Sequence, residues 1–375
     1  MAITSITHSI RGKASRIEAI RTRGLDQPQR QQLLVDVITE DGVVGTGEAW
    51  WGLSSAGQVV SDQAATQGFN HVTHAPYATI QSAIEGILAP RCIGRHAGDI
   101  EGLWSDMSDF AARYGDGGII TMALSGIDLA LWDGLGKRLG VPVNQLIGGR
   151  AHERRPAYAS LPPLKTHTAI ERECKRAVNA GFRAIKLHEV SEQAVVWART
   201  AIGPDISLMV DCNGHFDVTG SLRFAHKIAP YDVLWLEEPV RPMRDIVALA
   251  RVAVASPVLL AAGENEYSLA DYQRLLASGA IKWVQPEIAK IGGLTAARRI
   301  SVLAELHNVE LAPHNFRIGP SLYASIHWGL ASPATRWIEM PFLPEGSSFP
   351  CGATLPPLID GEVALPEGPG FGLNV

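Results

Sequence analysis

The chain has 375 residues, 46% of them hydrophobic and 19% charged, and a formal net charge of −5. This is the balance of an ordinary globular protein: it lacks the broad basic footprint of a nucleic-acid binder, and no apolar run approaches the length needed to cross a bilayer. The length exceeds what one compact core usually supports, unless that core is a barrel with a smaller domain attached, so two domains are expected.

The opening MAITSITHSIRGKASR has no continuous apolar core and no small-residue cleavage pattern. It does not read as an export signal, and the cytoplasm is the expected compartment. Between residues 11 and 30, six Arg or Lys face two acids, a bias that suits either an anionic ligand or a solvated basic face. In QLLVDVITEDGVVGTGEAW, apolar residues alternate around Asp41-Gly42, which predicts two antiparallel strands joined by a tight turn. Residues 77 to 113 read as helical with Gly and Pro breaks. Together these elements predict a small α+β domain over residues 1–120.

From Thr121 the texture changes. TMALSGIDLALWDGLGKRLG is a periodic apolar helix that stops at Gly140, with Pro142 just beyond. A strand, turn and helix then repeat, with strands predicted at 155–161, 184–188, 207–213, 233–239, 258–265, 283–288, 310–315 and 336–341. Runs such as VLWLE and LLAAG are apolar on both faces, as parallel strands covered by helices must be. Eight parallel strands predict an α/β barrel over residues 121–341. The remainder, 342–375, is rich in Pro and Gly and is expected to pack back on the N-terminal domain. The four cysteines, Cys92, Cys174, Cys212 and Cys351, are scattered without metal-ligand spacing, as reduced thiols are.

Three of the predicted strands end in a carboxylate: SLMVDCNG in Asp211, VLWLEEP in Glu237 and LLAAGEN in Glu264. The intervals are each about one strand-plus-helix unit, so a closed barrel would set the three acids side by side at one rim. Oxygen ligands on rigid strands suit Mg²⁺ better than zinc, which prefers nitrogen or sulfur. Barrel enzymes work at the C-terminal ends of their strands. The ends of the other strands carry Ser160, Lys186 with His188, Asn213, Glu287, His314 and Glu339.

Lys186 and His188 stand two apart in AIKLHEV, so both face inward from one strand. The lysine would stay protonated beside the acids, and the histidine could exchange a proton near neutral pH. Glu287 and His314 lie on successive strands, where a carboxylate on one imidazole nitrogen would fix the tautomer and raise the basicity of the other. Removing a proton beside a carboxylate creates a second negative charge, and a divalent cation with a lysine alongside would neutralise it.

EDGVVGTGEAW, SGIDLALWD, GKRLGVPVNQLIGG, FRAIKLH, VDCNG, LWLEEP, AGEN, QPEIAKIGGLTAARRI, APHN and RWIEMPF together resemble the enolase superfamily. The likeness is to its mandelate racemase-like branch of acid-sugar dehydratases, racemases and cycloisomerases, and it covers nearly the whole chain. It implies a modified (β/α)7β TIM barrel with an N-terminal α+β capping domain completed by the C-terminal tail. It also implies one Mg²⁺ on Asp211, Glu237 and Glu264, with Glu238 in a structural role.

The branch usually has a K-x-K motif, but this chain keeps Lys186 and places His188 where the second lysine is usual. Glu287 stands where the partner of His314 is usually Asp. Glu339 and Ser160 match substrate contacts, Asn213 and His215 fall where a polyol could be touched, and Lys290 aligns with a lysine read here as structural. Specificity is expected from loops 22–30 and 50–58 of the capping domain. The resemblance implies a small-molecule carboxylate substrate, a sugar acid, and a homo-oligomer, with no nucleic-acid or membrane partner. The expected reaction is dehydration to a 2-keto-3-deoxy acid; racemisation, epimerisation or cycloisomerisation through the same enolate is the alternative.

Overall fold

The computed structural model describes residues 15–27, 30–50, 77–115 and 117–375. Strands β1 (Ile17–Gln27), β2 (Arg30–Thr39) and β3 (Val44–Ala49) form an antiparallel sheet in that order. The predicted turn at Asp41-Gly42 joins β2 to β3, with Gly42 at φ 80. Residues 22–27 and 30, read from sequence as loop, belong instead to the paired strands β1 and β2: Gln27 lies opposite Arg30. The backbone ladder between the two strands continues unbroken from Ala19 to Gln27, through the basic run. Two arginines of that run are already engaged, Arg23 with Asp36 at 2.6 Å and Arg16 with the Gly94 carbonyl. Residues 28–29 and 51–58 lie outside the described residues.

A helical stretch over residues 78–92 leads to α1 (Ile100–Ala111) and α2 (Ile119–Leu139). The sequence attaches α2 to the barrel, yet it lies directly on β3. A Cβ at Gly47 would come within 2.2 Å of the Gly126 carbonyl, and one at Gly45 within 2.0 Å of that of Ala130, so glycine alone permits this approach. Against the expectation that no apolar run is long enough to cross a bilayer, helix α2 has the length and hydropathy to do so; 72% of that window is buried inside the protein, as in a core helix. It ends on Gly140 at φ 67, the left-handed cap the sequence announced.

The barrel begins with β4 (Arg154–Ser160), then α3 (His167–Asn179), β5 (Ala184–Leu187), α4 (Glu192–Ile202), β6 (Ser207–Asp211) and α5 (Val218–Ile228). It continues with β7 (Val233–Glu237), α6 (Ile246–Ala255), β8 (Leu260–Ala262), α7 (Leu269–Ala277), β9 (Trp283–Val284) and α8 (Gly293–Leu306). Strand β10 (Glu310–Leu311), α9 (Pro320–Ala331) and β11 (Ile338–Pro341) complete it. All these strand pairs are parallel, β11 pairs with β4, and a bridge from Leu311 to Thr335 closes the ring. Thr166, Ser191, Asp217, Asp245 and Ser268 start α3 to α7 by accepting a first-turn N–H.

Inside the ring, Tyr158, Ala184, Met209, Trp235, Ala261, Trp283 and Ala312 pack as a separate apolar plug. The opposite face of the strands joins the larger core shared with the helices. The buried Lys186, Asp211, Glu237 and His314 lie above this plug.

The tail carries β12 (Leu358–Ile359) and β13 (Glu362–Ala364), and β13 runs antiparallel to β4. It also reaches the N-terminal part: Phe371 N–H donates to Asp133 on α2, and Cys351 N–H donates to Gln32 on β2. Two buried carboxylates tie the N-terminal part to the barrel. Glu48 on β3 accepts the Ser321 N–H at 3.1 Å and hydroxyl at 2.7 Å in the first turn of α9. Asp128 on α2 accepts the Thr295 N–H at 3.0 Å and hydroxyl at 2.6 Å in the first turn of α8. Each satisfies orphan donors of a helix N-terminus and sits at its positive end.

Candidate active site

Strand periodicity explains how the polar groups converge. Two residues above Ala184, Met209, Trp235 and Ala312 in the plug come Lys186, Asp211, Glu237 and His314, on the same inward face. Glu264 is an exception, because strict alternation from Ala261 would turn it outward. Gly263, at φ 130 just after β8 ends, redirects the chain and brings Glu264 back to the mouth. Asp211, Glu237 and Glu264 are all buried and offer one oxygen each within 4.8 Å of one another.

Lys186, 0% exposed, is the centre of charge. Its Nζ lies 2.6 Å from Glu237 Oε1, 2.9 Å from Glu339 Oε1 and 3.6 Å from Asp211 Oδ2. Burial opposes its charge, but the Glu237 and Glu339 carboxylates outweigh that and hold its pKa well above the ordinary lysine value. Glu237 is pushed up, chiefly by burial and then by the neighbouring acids, against the pull of Lys186. The neighbouring carboxylates contribute to both shifts, although burial leads for Glu237.

The two histidines flank the acids. His188 bonds through Nδ1 to the Leu161 carbonyl, and its Nε2 lies 3.2 Å from Asp211 Oδ2. Burial disfavours the charged ring, but the Asp211 bond and charge raise its pKa. His314 Nδ1 is 2.8 Å from Glu287 Oε2, and its Nε2 is 2.8 Å from Glu264 Oε2. Burial again opposes the imidazolium, and Glu264 with Glu339 raises it well above the ordinary value. Glu287 is itself fixed by the Ala289 N–H at 3.0 Å.

Most of the other residues read from sequence fall beside this chamber. Ser160 is buried in register with Lys186, and Glu339 Oε2 accepts the Asn315 N–H at 3.0 Å. Asn213, at φ 41, gives both its backbone N–H and its side-chain amide to Asp211, at 2.8 and 3.1 Å. His215 is not drawn in: it is exposed, with its ring packed edge-on against Phe216 at 4.6 Å. Glu238 accepts from Asn265 at 2.7 Å, and Lys290 donates to the Glu264 carbonyl at 2.9 Å.

Sequence reading missed two neighbours, Gln285 and Arg317, and placed Trp50 only as the first residue of the specificity loop 50–58. Gln285 donates to Glu237 Oε2 at 2.7 Å; its place two residues before Glu287 on one inward face was the available signal. Trp50 enters from β3, with its ring between Lys290 Nζ at 4.1 Å and the Arg317 guanidinium at 4.0 Å, and 5.9 Å from the His314 ring. Nothing local in the sequence marks Arg317 for this place.

The donor set fits a hard divalent cation. It offers three carboxylates without sulfur, held on rigid elements in a chamber with surplus negative charge. A closed parallel barrel with such a rim defines a metal-assisted proton-transfer enzyme.

Residues 20–148 match the family described as "Mandelate racemase / muconate lactonizing enzyme, N-terminal domain", and residues 169–375 match "Enolase C-terminal domain-like". The chain belongs to this mandelate racemase/muconate lactonizing enzyme family of the enolase superfamily. It is 30% identical over 366 residues to D-galactarolactone cycloisomerase of Agrobacterium fabrum, covering 92% of this chain and 89% of that one. It is 30% identical over 355 residues to L-rhamnonate dehydratase of Saccharopolyspora erythraea, covering 92% and 83%. Among solved structures, a racemase from Streptomyces coelicolor A3(2) with bound magnesium superposes with a TM-score of 0.80 at 28% identity, covering 96% of this chain and 97% of that chain.

Proposed function

We propose that this protein is a carbon–oxygen lyase that removes the proton α to the carboxylate of a sugar acid and expels the β-hydroxyl, giving a 2-keto-3-deoxy acid. The observation that carries the reading is the buried triad of Asp211, Glu237 and Glu264 with His188 at one end and His314 at the other. In this reading the triad holds Mg²⁺, which supplies, when bound, positive charge against the negative charge gathering on the substrate carboxylate.

The chain's own residues do the rest. Lys186 gives its ammonium to the substrate carboxylate, with Glu339 and Ser160 beside it. His188 and His314 each have Nδ1 committed to a fixed partner, which leaves Nε2 as the proton-carrying atom on each side. One Nε2 takes the α-proton, and the other gives a proton to the departing hydroxyl. Asn213 steadies Asp211. The same reading expects a cytoplasmic homo-oligomer.

A second reading keeps the first proton transfer and ends in isomerisation, because histidines on two sides permit the proton to return from the opposite face. The similarity to D-galactarolactone cycloisomerase supports it. A panel of sugar acids incubated with enzyme and Mg²⁺ in D₂O separates the two. Dehydration yields a 2-keto acid, detected colorimetrically; isomerisation yields a deuterated isomer with no loss of water. Neither product from any sugar acid, with no deuterium incorporated, would overturn both.

A further inference from the structure

Glu237 is gripped on both oxygens. Oε2 accepts the Trp235 indole N–H at 2.9 Å and the Gln285 amide N–H at 2.7 Å, while Oε1 lies 2.6 Å from Lys186 Nζ. Trp235 stands two residues earlier on the same inward face of β7. Gln285 reaches across from the end of β9, with β8 between them in the ring. Between them β8 presents only the small Ala261 to the interior. Glu237, Trp235 and Gln285 are all 0% exposed.

The other two acids of the triad find amide partners beside them in the chain, Asn213 for Asp211 and Asn265 for Glu264. Glu237 alone takes its side-chain amide from another strand. Both donors on Oε2 are neutral. An arginine or lysine there would cancel the carboxylate charge, whereas an amide and an indole fix its plane and leave that charge available to a cation.

We propose that Gln285, together with Trp235, is a positioning residue that holds the Glu237 carboxylate in place for a divalent cation. The proposal rests on the reading of the acid triad as a Mg²⁺ site. The test is calorimetric titration of Mg²⁺ into chelator-stripped full-length protein, comparing wild type with Gln285→Met and Trp235→Phe. Both variants stay apolar and bulky and remove the N–H donor to Glu237; Gln285→Met also loses the amide oxygen, and Trp235→Phe loses part of the ring. Circular dichroism and urea midpoints on the same samples report folding.

The expected result is a Kd weakened ~10–100-fold by Gln285→Met and by a smaller factor by Trp235→Phe, in proteins that remain folded. An unchanged Kd in folded Gln285→Met overturns the proposal. If that variant does not fold, an unchanged Kd in Trp235→Phe overturns it. Wild-type protein that binds no Mg²⁺ instead overturns the metal reading itself, and the positioning role falls with it. Those failures are distinct, because the second is read before any substitution is made.

Discussion

His314 and Glu287 meet through Nδ1 and Oε2 at 2.8 Å, across a parallel bridge between the extensions of β9 and β10. The carboxylate is already oriented by the Ala289 N–H, so the imidazole inherits a fixed plane rather than a rotating one. A glutamate at this position reaches the ring at hydrogen-bond distance.

Glu287→Gln keeps that shape and removes the charge opposite the ring. Loss of a supporting charge on a general base is expected to lower kcat ~100-fold or more while KM changes little. Steady-state kinetics on the substrate found in the sugar-acid panel checks this. A kcat within about threefold of wild type would remove the dyad from the mechanism.

Lys186→Met should abolish turnover and also weaken the fold. With the ammonium gone, Glu237 and Glu339 are left buried without their partner, a situation that costs about 3–5 kcal/mol. Urea unfolding in the presence of a chelator measures the loss. Adding Mg²⁺ should recover part of it, because the cation supplies charge to the same acids.

Metal should stabilise the wild type by mass action. A cation bound only by the folded chain adds about 2.7 kcal/mol at 100 times its Kd. Thermal melts across a Mg²⁺ series should rise with the logarithm of concentration, and Zn²⁺ at equal concentration should restore less activity after chelation.

His327 gives a pH dependence away from the site. Its Nδ1 accepts the Asn144 N–H at 3.1 Å, so its Nε2 carries the proton, 3.2 Å from the Phe371 carbonyl. Protonating Nδ1 would set two donors against each other, and burial lowers the pKa from 6.5 to about 4. A depressed folded value means the unfolded chain binds the extra proton first. The contribution is therefore complete above pH 6.5 and is lost as pH falls toward 4, by roughly 3 kcal/mol in all. Urea midpoints from pH 7.5 to 4 should show this loss, and His327→Gln should flatten that part of the profile.

Much of the site could be read before folding because a strand repeats every two residues. Asp211, Glu237, Lys186 and His314 each follow an apolar inward residue by two, and each lies where that spacing puts it. Glu264 reaches the mouth for a different reason, the positive φ of Gly263, which alternation does not contain. Strands expected at 258–265, 283–288 and 310–315 shorten to Leu260–Ala262, Trp283–Val284 and Glu310–Leu311. Gly263, Pro286 and Pro313 explain this: the first turns the chain, and the prolines lack an N–H for the ladder.

What escaped the sequence depends on approach between distant segments. Trp50 and Arg317 become neighbours only because β3 lies against the loop before α9. Gln285 carries no charge, and its importance appears only once its reach across β8 to Glu237 is seen. Helix α2 reads as part of the barrel because nothing local reveals that Gly45 and Gly47 allow a strand to lie on its backbone.

Glu48 and Asp128 each complete a helix that belongs to the other half of the molecule. Neither half therefore possesses a finished set of hydrogen bonds by itself. Cut free, the barrel would expose raw first turns on α8 and α9, and the sheet with its long helix would strand two acids in an apolar wall. A calorimeter should accordingly record a single endotherm for the entire chain, in place of two successive meltings.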